Sequence, residues 1–551
     1  MEVFDMRLAH QWEIVRALLL LRKKGVISLT LPWETLRQIK DAKLLGPQAS
    51  TISRSARKAP DAPALVDERG TLTYRELDEQ SNAIARGLRA AGIAQGMVIG
   101  LLARDHRGLI LSMAAAGKLG VRLVLMNTGF AKPQFAEVCA REQVKAVLHD
   151  SEFLGLLDAL PADLLRYLTW VDDDAELSRD EQTLDDLIAN NSSEALPRPK
   201  SPGGFVILTS GTTGTPKGAA RNKLSPLAIA QIVDRIPFPR RGTQMVVSPI
   251  FHSTGLATWV VASSLASKVV VVRRFDAETT LKLIADHKVE MLVAVPTMVH
   301  RMVELDPAIL AKYDTSSLRV LLMAGSALPP DLVIKTTEVF GPVVYNLYGS
   351  TECAVATVAD PRDSALAPGT AGRAPITCEV RLYDNNDQRV TAIETPARIF
   401  IRSGSPFEGY TDGRTKQVID GYMSSGDVGH FDAHGLLMVD GRDDDMIVSG
   451  GENVFPQEVE NLLLERSDIF DAAVVGVDDA EFGKRLRAFV VPEPGHTPDG
   501  EEIKTYVKKN LARYKVPREV IVIDDLPRNA TGKLVRRALV NHDVQTSVAE
   551  E

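Results

Sequence analysis

Two periodicities alternate along this chain. VIGLLA (98–103), VRLVLM (121–126), VVVVRR (269–274) and MLVAVP (291–296) are short, β-branched and continuously apolar, the pattern of strands buried on both faces. Between such runs the apolar positions take helical spacing. Thr73-Tyr-Arg-Glu76 reads as a capping box, followed by Leu77, Ile84, Leu88 and Ala91 on one helix face. Strands alternating with helices predict an α/β protein. The theme returns on a smaller scale near the C-terminus. PQEVENLLLER (456–466) is a helix with Pro in its first turn, DAAVVGV (471–477), RAFVVP (487–492) and EVIVIDDLP (519–527) are strands, and Ile503, Val507 and Leu511 stripe another helix. The fold class expected is a large N-terminal domain of mixed sheets flanked by helices, plus a small mobile α/β domain. Boundaries fall at the charged GRDDDMIV (441–448), giving a helical extension over 1–50, a large domain over 51–442 and a small one over 443–551.

Length and composition agree with this division. A chain of 551 residues exceeds what one core supports. Cys139, Cys353 and Cys378 are scattered without a CxxC pair, which argues against a disulfide framework or structural zinc and for a reducing compartment. The net charge of −8 gives no reason to expect nucleic acid. No apolar run approaches the ~18 residues of a spanning helix, and the N-terminus lacks the order of a secretory signal. The cytoplasm is the expected address.

Charge is nevertheless uneven. Residues 1–58 carry 11 Lys/Arg against 5 Asp/Glu, a net of +6 that leaves −14 for the remainder. Ile14, Val15, Leu18, Leu19 and Leu21 lie beside Arg16, Arg22, Lys23 and Lys24. A basic amphipathic helix of this kind could rest peripherally on an anionic membrane. The favoured reading is a helix docked on the main body with its charges solvated.

The chemistry-bearing stretch is ILTSGTTGTPKG (207–218), a Gly- and hydroxyl-rich loop after a strand. Gly211 and Gly214 let backbone amides face phosphate oxygens, while Thr209, Ser210, Thr212 and Thr213 supply hydroxyls. It is not a Walker loop, because Gly218 follows Lys217 where Ser or Thr would hold magnesium. Four further stretches follow in order: YNLYGSTE (345–352), SSGDVG (424–429), GRDDDMIVSGGENVFPQEVE (441–460) and PRNATGKLVRR (527–537).

In this order and spacing, the five motifs resemble the adenylate-forming superfamily, in particular its acyl-CoA synthetases, over nearly the whole chain from about residue 50 to 540. The resemblance implies a carboxylic acid attacking the α-phosphate of ATP, with pyrophosphate release, then transfer of the acyl group to CoA. Two anions must meet, and at ~4 Å their repulsion is about 4 kcal/mol at an effective dielectric of about 20. Cations and N–H donors must cancel it. By resemblance, the 209–217 loop holds the β- and γ-phosphates and Lys217 steers pyrophosphate. Gly325, Ser326 and Ala327 of AGSALP (324–329) line the junction of adenine and acyl sites, Tyr348 packs on adenine with Gly349 also in the ATP site, and Thr351 contacts the α-phosphate. Glu352 would hold Mg²⁺, and Asp427 and Arg442 the ribose hydroxyls. Lys533 would bridge the carboxylate and α-phosphate, Asp444 would be the hinge, and Gly450 and Gly451 would line a pantetheine tunnel.

PIFHSTGL (249–256) resembles the segment ending at the acyl pocket. Relatives that activate amino acids carry Asp where His252 stands, so a buried ammonium would lack its anion. His252 either gates the acid or simply packs. Leu256, Trp259, Val295 and Pro296 suit a hydrocarbon tail, so a medium- or long-chain fatty acid is expected, with an aryl acid as the alternative. A carrier protein could replace CoA as acceptor. A different class, an inactive nucleotide- or lipid-binding relative, sits poorly with Lys533, Glu352 and Asp427 all present. Ala397-Arg398 replaces a Gly-Glu common in relatives, and a packing difference is expected there.

Overall fold

A computed structural model describes residues 2–27, 32–173, 175, 181–209, 217–221, 226–404, 407, 409–449, 452–479, 483–529 and 532–540. Four sheets organise them. The first runs in the order Leu165–Trp170, Ala146–Asp150, Val98–Leu102, Arg122–Leu125, Phe205–Thr209, Lys217–Arg221, parallel except for its last pair. Its inner strands Val98–Leu102, Arg122–Leu125 and Phe205–Thr209 are mostly apolar because both faces are covered. Ile99, Leu101, Leu123 and Leu125 point into one core, while Leu102, Val124 and Val206 point into another.

The second sheet has eight strands. Its order is Ala354–Ala359, Val344–Ser350, Val320–Ala324, Met291–Ala294, Thr243–Val246, Lys268–Val271, Pro63–Asp67, Gly70–Thr73, parallel inside and antiparallel at both edges. Val246, Val269, Val293 and Leu322 join the same core as Ile99 and Leu123, so helices and the two sheets share one interior. Helix Tyr74–Ala90 begins at the capping box read from sequence, with Thr73 and Glu76 exchanging their bonds.

An antiparallel sheet built around Cys378–Tyr383, Ala397–Ser403, Tyr422–Phe431 and Leu437–Arg442 follows. Arg398 pairs there with Asp387 at 2.6 Å. The last sheet combines Ile447–Ser449, Glu452–Val454, Ile469–Asp479, Gly483–Pro492 and Glu519–Val522, with helices Pro456–Leu464 and Gly500–Asn510. Val459, Val474, Val490 and Ile503 give it a separate interior. The molecule is thus a large mixed α/β N-terminal domain with a smaller C-terminal α/β domain.

At the N-terminus, helix Glu2–Lys23 buries Ala17 and Leu21, and helix Pro32–Lys58 buries Ala49 and Ile52. The docked reading of the first helix holds for that face alone. Val15 and Leu19 are 44% and 55% exposed and point away from the body.

Candidate active site

Parallel strands of the second sheet end along one line, the position where α/β sheets hold ligands. Ser248 and Pro249, Val295 and Pro296, Gly325 and Ser326, and Thr351 and Glu352 all follow such strands and line a cleft of about 1890 Å³. The C-terminal domain forms its opposite wall through Phe470, Asn529 and Lys533.

Close approach explains the small residues here. Gly325 closes its strand at φ +99°, in the left-handed region that favours glycine. A Cβ on Gly349 would meet the Ala354 carbonyl oxygen at 2.0 Å, beside an irregularity in the strand pairing at Tyr348. Ser326, Ala327, Tyr348, Gly349 and Thr351 all line the cleft.

Asp427 and Arg442 are direct cross-strand partners, and their side chains pair at 3.2 Å. The Tyr348 hydroxyl donates to the second carboxylate oxygen of Asp427. Burial and this carboxylate push the tyrosine well above its ordinary pKa, so it stays a donor. Arg442 also pairs with Asp444 at 2.9 Å, in the turn that leaves Leu437–Arg442 for the C-terminal domain.

Glu352 is 7% exposed and accepts a bond from the Tyr410 hydroxyl. Burial raises its pKa, but Tyr410 and the charge of Lys416 outweigh burial and leave it below the usual carboxylate value. Lys217 lines the same cleft, its ammonium 5.3 Å from the centre of the Tyr410 ring. Thr209 and Lys217 are register partners, which brings the two ends of the 209–217 segment together. Ser210, Gly211, Thr212, Thr213 and Gly214 lie outside the described residues, as do Gly450 and Gly451.

A tight turn presents Lys533. Gly532 donates its N–H to Asn529 O at 2.9 Å, Asn529 donates to Lys533 O at 2.9 Å, and the Asn529 side chain accepts the Lys533 N–H at 3.0 Å. Arg528, itself paired with Asp471 at 2.7 Å, donates to Gly532 O. Lys533 stands within electrostatic reach of Arg442, Asp427, Glu352 and His252. Loss of bulk solvation and the charge of Arg442 lower its pKa, against the pull of Asp427 and Glu352. Water still reaches the side chain within the cleft.

His252 caps helix Ser253–Ser264, with the Phe251 ring 4.4 Å away. Its Nε2 is buried without a hydrogen-bond partner among the described residues. Burial, reinforced by Lys533, pushes its pKa down to about 3, so the ring is neutral.

The pattern of the AMP-binding enzyme family matches residues 52–411, and that of the AMP-binding enzyme C-terminal domain matches residues 458–533. The chain belongs to this adenylate-forming family. Within the family it falls in the acyl-CoA ligase branch and is an AMP-forming acid–thiol ligase. It is 32% identical to the indoleacetate–CoA ligase of Aromatoleum aromaticum over 497 residues, 88% of this chain and 95% of that one. It is 31% identical to a feruloyl-CoA synthase of Amycolatopsis over 491 residues, 88% and 96% of the two chains. Among solved structures, the o-succinylbenzoate CoA synthetase of Bacillus subtilis with its acyl-adenylate superposes with a TM-score of 0.76 at 26% identity, covering 89% and 97%.

Set in this family, the motifs left some cleft residues unread. Tyr410 carries no charge and sits in a turn-rich stretch, so nothing local marked it as the partner of Glu352. Thr297 and His300 lie on helix Pro296–Val303 and meet the C-terminal domain, with His300 Nε2 3.1 Å from Phe470 O. Only the bringing together of distant segments exposes such contacts. Conversely, Leu256 and Trp259 do not line the cleft: at 5% and 2% exposure they belong to the core.

Proposed function

We propose that this enzyme activates a compact carboxylic acid with an aromatic or cyclic body and transfers it to CoA. The supporting observation is the acid side of the cleft. His252, Ser253 and Thr254 line the cleft, and Leu256 and Trp259, which follow them in the sequence, are packed into the interior. A long alkyl chain would have to displace that core, at a cost of about 1–3 kcal/mol for overpacking alone. The resemblance to ligases of indoleacetate and ferulate favours the same class. A fatty acid is the less favoured substrate.

ATP enters with its ribose toward Asp427 and Arg442, its base along Tyr348 and Gly349, and its outer phosphates toward Lys217. Glu352 fits Mg²⁺: it is ionised, oxygen-bearing and on the cleft wall, with one oxygen held by Tyr410. No cluster of three or more His, Cys, Asp or Glu among the described residues could hold a metal alone. That suits an ion completed by phosphate oxygens and water, which would neutralise charge on the phosphates when bound. The acid's carboxylate oxygen forms a bond to the α-phosphorus as the bond to the bridging oxygen breaks, and pyrophosphate leaves. His252 is neutral and cannot offset these charges, so Lys533 carries the compensation. Rotation about Asp444 would then withdraw Lys533, and the CoA sulfur would attack the acyl carbonyl, releasing AMP and the thiol proton.

The test is a panel of acids with ATP, Mg²⁺ and CoA: indoleacetate, ferulate, benzoate, acetate, octanoate and palmitate. An aromatic acid is expected to give the highest kcat/KM for acyl-CoA formation. A maximum at octanoate or palmitate would overturn the substrate assignment.

A further inference from the structure

The family match begins at residue 52, so the two N-terminal helices lie almost wholly outside the part of the chain it accounts for. We infer that these helices form a docking face for an anionic lipid bilayer. Helix Glu2–Lys23 packs on helix Pro226–Arg235 through its Ala17 and Leu21 side. On the other side Trp12, Val15 and Leu19, at i, i+3 and i+7, are 67%, 44% and 55% exposed. Helix Pro32–Lys58 does the same: Trp33, Leu36 and Ile39 are 67%, 68% and 59% exposed. Two of the chain's four Trp residues thus stand in water, an unusual place for so large an apolar ring.

Cations interleave this apolar surface. Arg16, Arg22, Lys23, Arg37, Lys40 and Lys43 are exposed and make no ion pair among the described residues. Two acidic residues of the same helices are otherwise engaged, Glu34 by Lys58 at 3.5 Å and Asp41 by Arg57 and Arg198 at 3.0 and 2.7 Å. The face therefore combines aromatic and aliphatic side chains with uncompensated positive charge, the chemistry of a helix lying in a headgroup layer. The rest of the chain carries −14 and would be repelled by the same surface, which fixes the face turned toward it. A second copy of the chain is a poorer occupant, because two such faces bring like charges together. Nucleic acid would satisfy the cations but leave the Trp and Leu side chains in water. No helix among the described residues is long and apolar enough to cross the membrane, so the contact is one of lying on the surface.

The full-length protein would be sedimented with vesicles of equimolar phosphatidylglycerol and phosphatidylcholine, and with phosphatidylcholine alone. About tenfold stronger partitioning onto the anionic vesicles is expected, falling as salt is raised. Trp12→Ser with Trp33→Ser should lose about tenfold in partitioning while ATP–pyrophosphate exchange in solution is unchanged. Lys40→Gln with Lys43→Gln should erase part of the preference for anionic lipid. Equal or absent binding to both vesicle types would overturn the inference. So would conversion of a dimer to a monomer by the Trp substitutions, which would assign the face to a second copy.

Discussion

Gly532 lies directly against Thr297 across the boundary between the two domains. A Cβ built at 532 would stand 2.7 Å from Thr297 Oγ1, and the residue holds φ +75°. Two demands therefore fall on one position: a left-handed turn and contact with the opposite wall. Gly532→Ala should strain the turn by about 1–2 kcal/mol and push the following ammonium out of place. Adenylation, followed as ATP–pyrophosphate exchange, should drop by about tenfold or more, with little change in the thermal midpoint. Thr297→Ala in the same chain should recover part of the loss, since it relieves the contact but not the dihedral strain. Full activity of Gly532→Ala would mean that the turn is not needed in this closed arrangement.

Lys533→Ala removes the ammonium on which the proposed first step depends. Loss of one preorganised charge-stabilising group costs about 10²–10³ in rate. The adenylation half-reaction should fall by that order, while supplied acyl-AMP should still react with CoA within a few-fold of the parent. Measuring the halves separately decides this, and equal loss in both would refute the exchange of domain positions.

The same group sets an alkaline limit. Burial and Arg442 lower the Lys533 pKa, so deprotonation begins below lysine's ordinary value of 10.5. In the proposed adenylation step the charged form is the active one, so kcat/KM for ATP should fall as pH rises through this lowered value. Bound polyphosphate favours the ammonium, so the corresponding limb of kcat should lie at higher pH. A limb that survives in Lys533→Ala would belong to another residue.

Asp105 gives a stability prediction beside the site. It is buried and accepts the Ile250 N–H at 3.0 Å, two residues before His252. Burial pushes its pKa up to about 8 from 3.8. Between these values the unfolded chain is ionised while the folded one keeps the proton, so folding stability declines as pH rises from about 4 to about 8. Asp105→Asn keeps a carbonyl acceptor and removes the titration. Its thermal midpoint should therefore gain on the parent as pH rises across that window, and parallel curves would exclude the effect.

The layered α/β architecture was legible because its strands are short, continuously apolar and bounded by helices. The C-terminal domain was legible for the same reason, in DAAVVGV and RAFVVP above all. The chemistry-bearing positions stood out through residue types with few other reasons to occur together, such as Asp427, Glu352 and Lys533. Their proximity could be argued only from resemblance; the structure supplies the cross-strand register that pairs Asp427 with Arg442. What escaped notice was burial without charge. Leu256 and Trp259 face a core that depends on two sheets packing together, and apolar residues of a pocket and of an interior look alike in sequence. On the N-terminal helices Leu21 is buried while Leu19, two places away, is exposed, a distinction made by the body that the helix docks on.

Tyr410 is the residue that the motifs did not single out and whose removal is most informative. Its hydroxyl donates to Glu352, and its ring faces the Lys217 ammonium at 5.3 Å, so it joins the proposed metal ligand to the proposed phosphate-steering cation. Tyr410→Phe keeps the ring and deletes only the donor. Without that bond, burial of Glu352 is opposed mainly by Lys416, so the carboxyl pKa must rise. A protonated carboxyl cannot hold Mg²⁺, so the acid limb of activity should move to higher pH. Partners that orient a metal ligand are typically worth about 10–100-fold in metal affinity. The Mg²⁺ concentration for half-maximal pyrophosphate exchange should therefore rise by about tenfold at neutral pH, with the melting temperature close to the parent's. If Mg²⁺ titration and the acid limb both stay unchanged, Glu352 is held for packing and the metal lies elsewhere in the cleft.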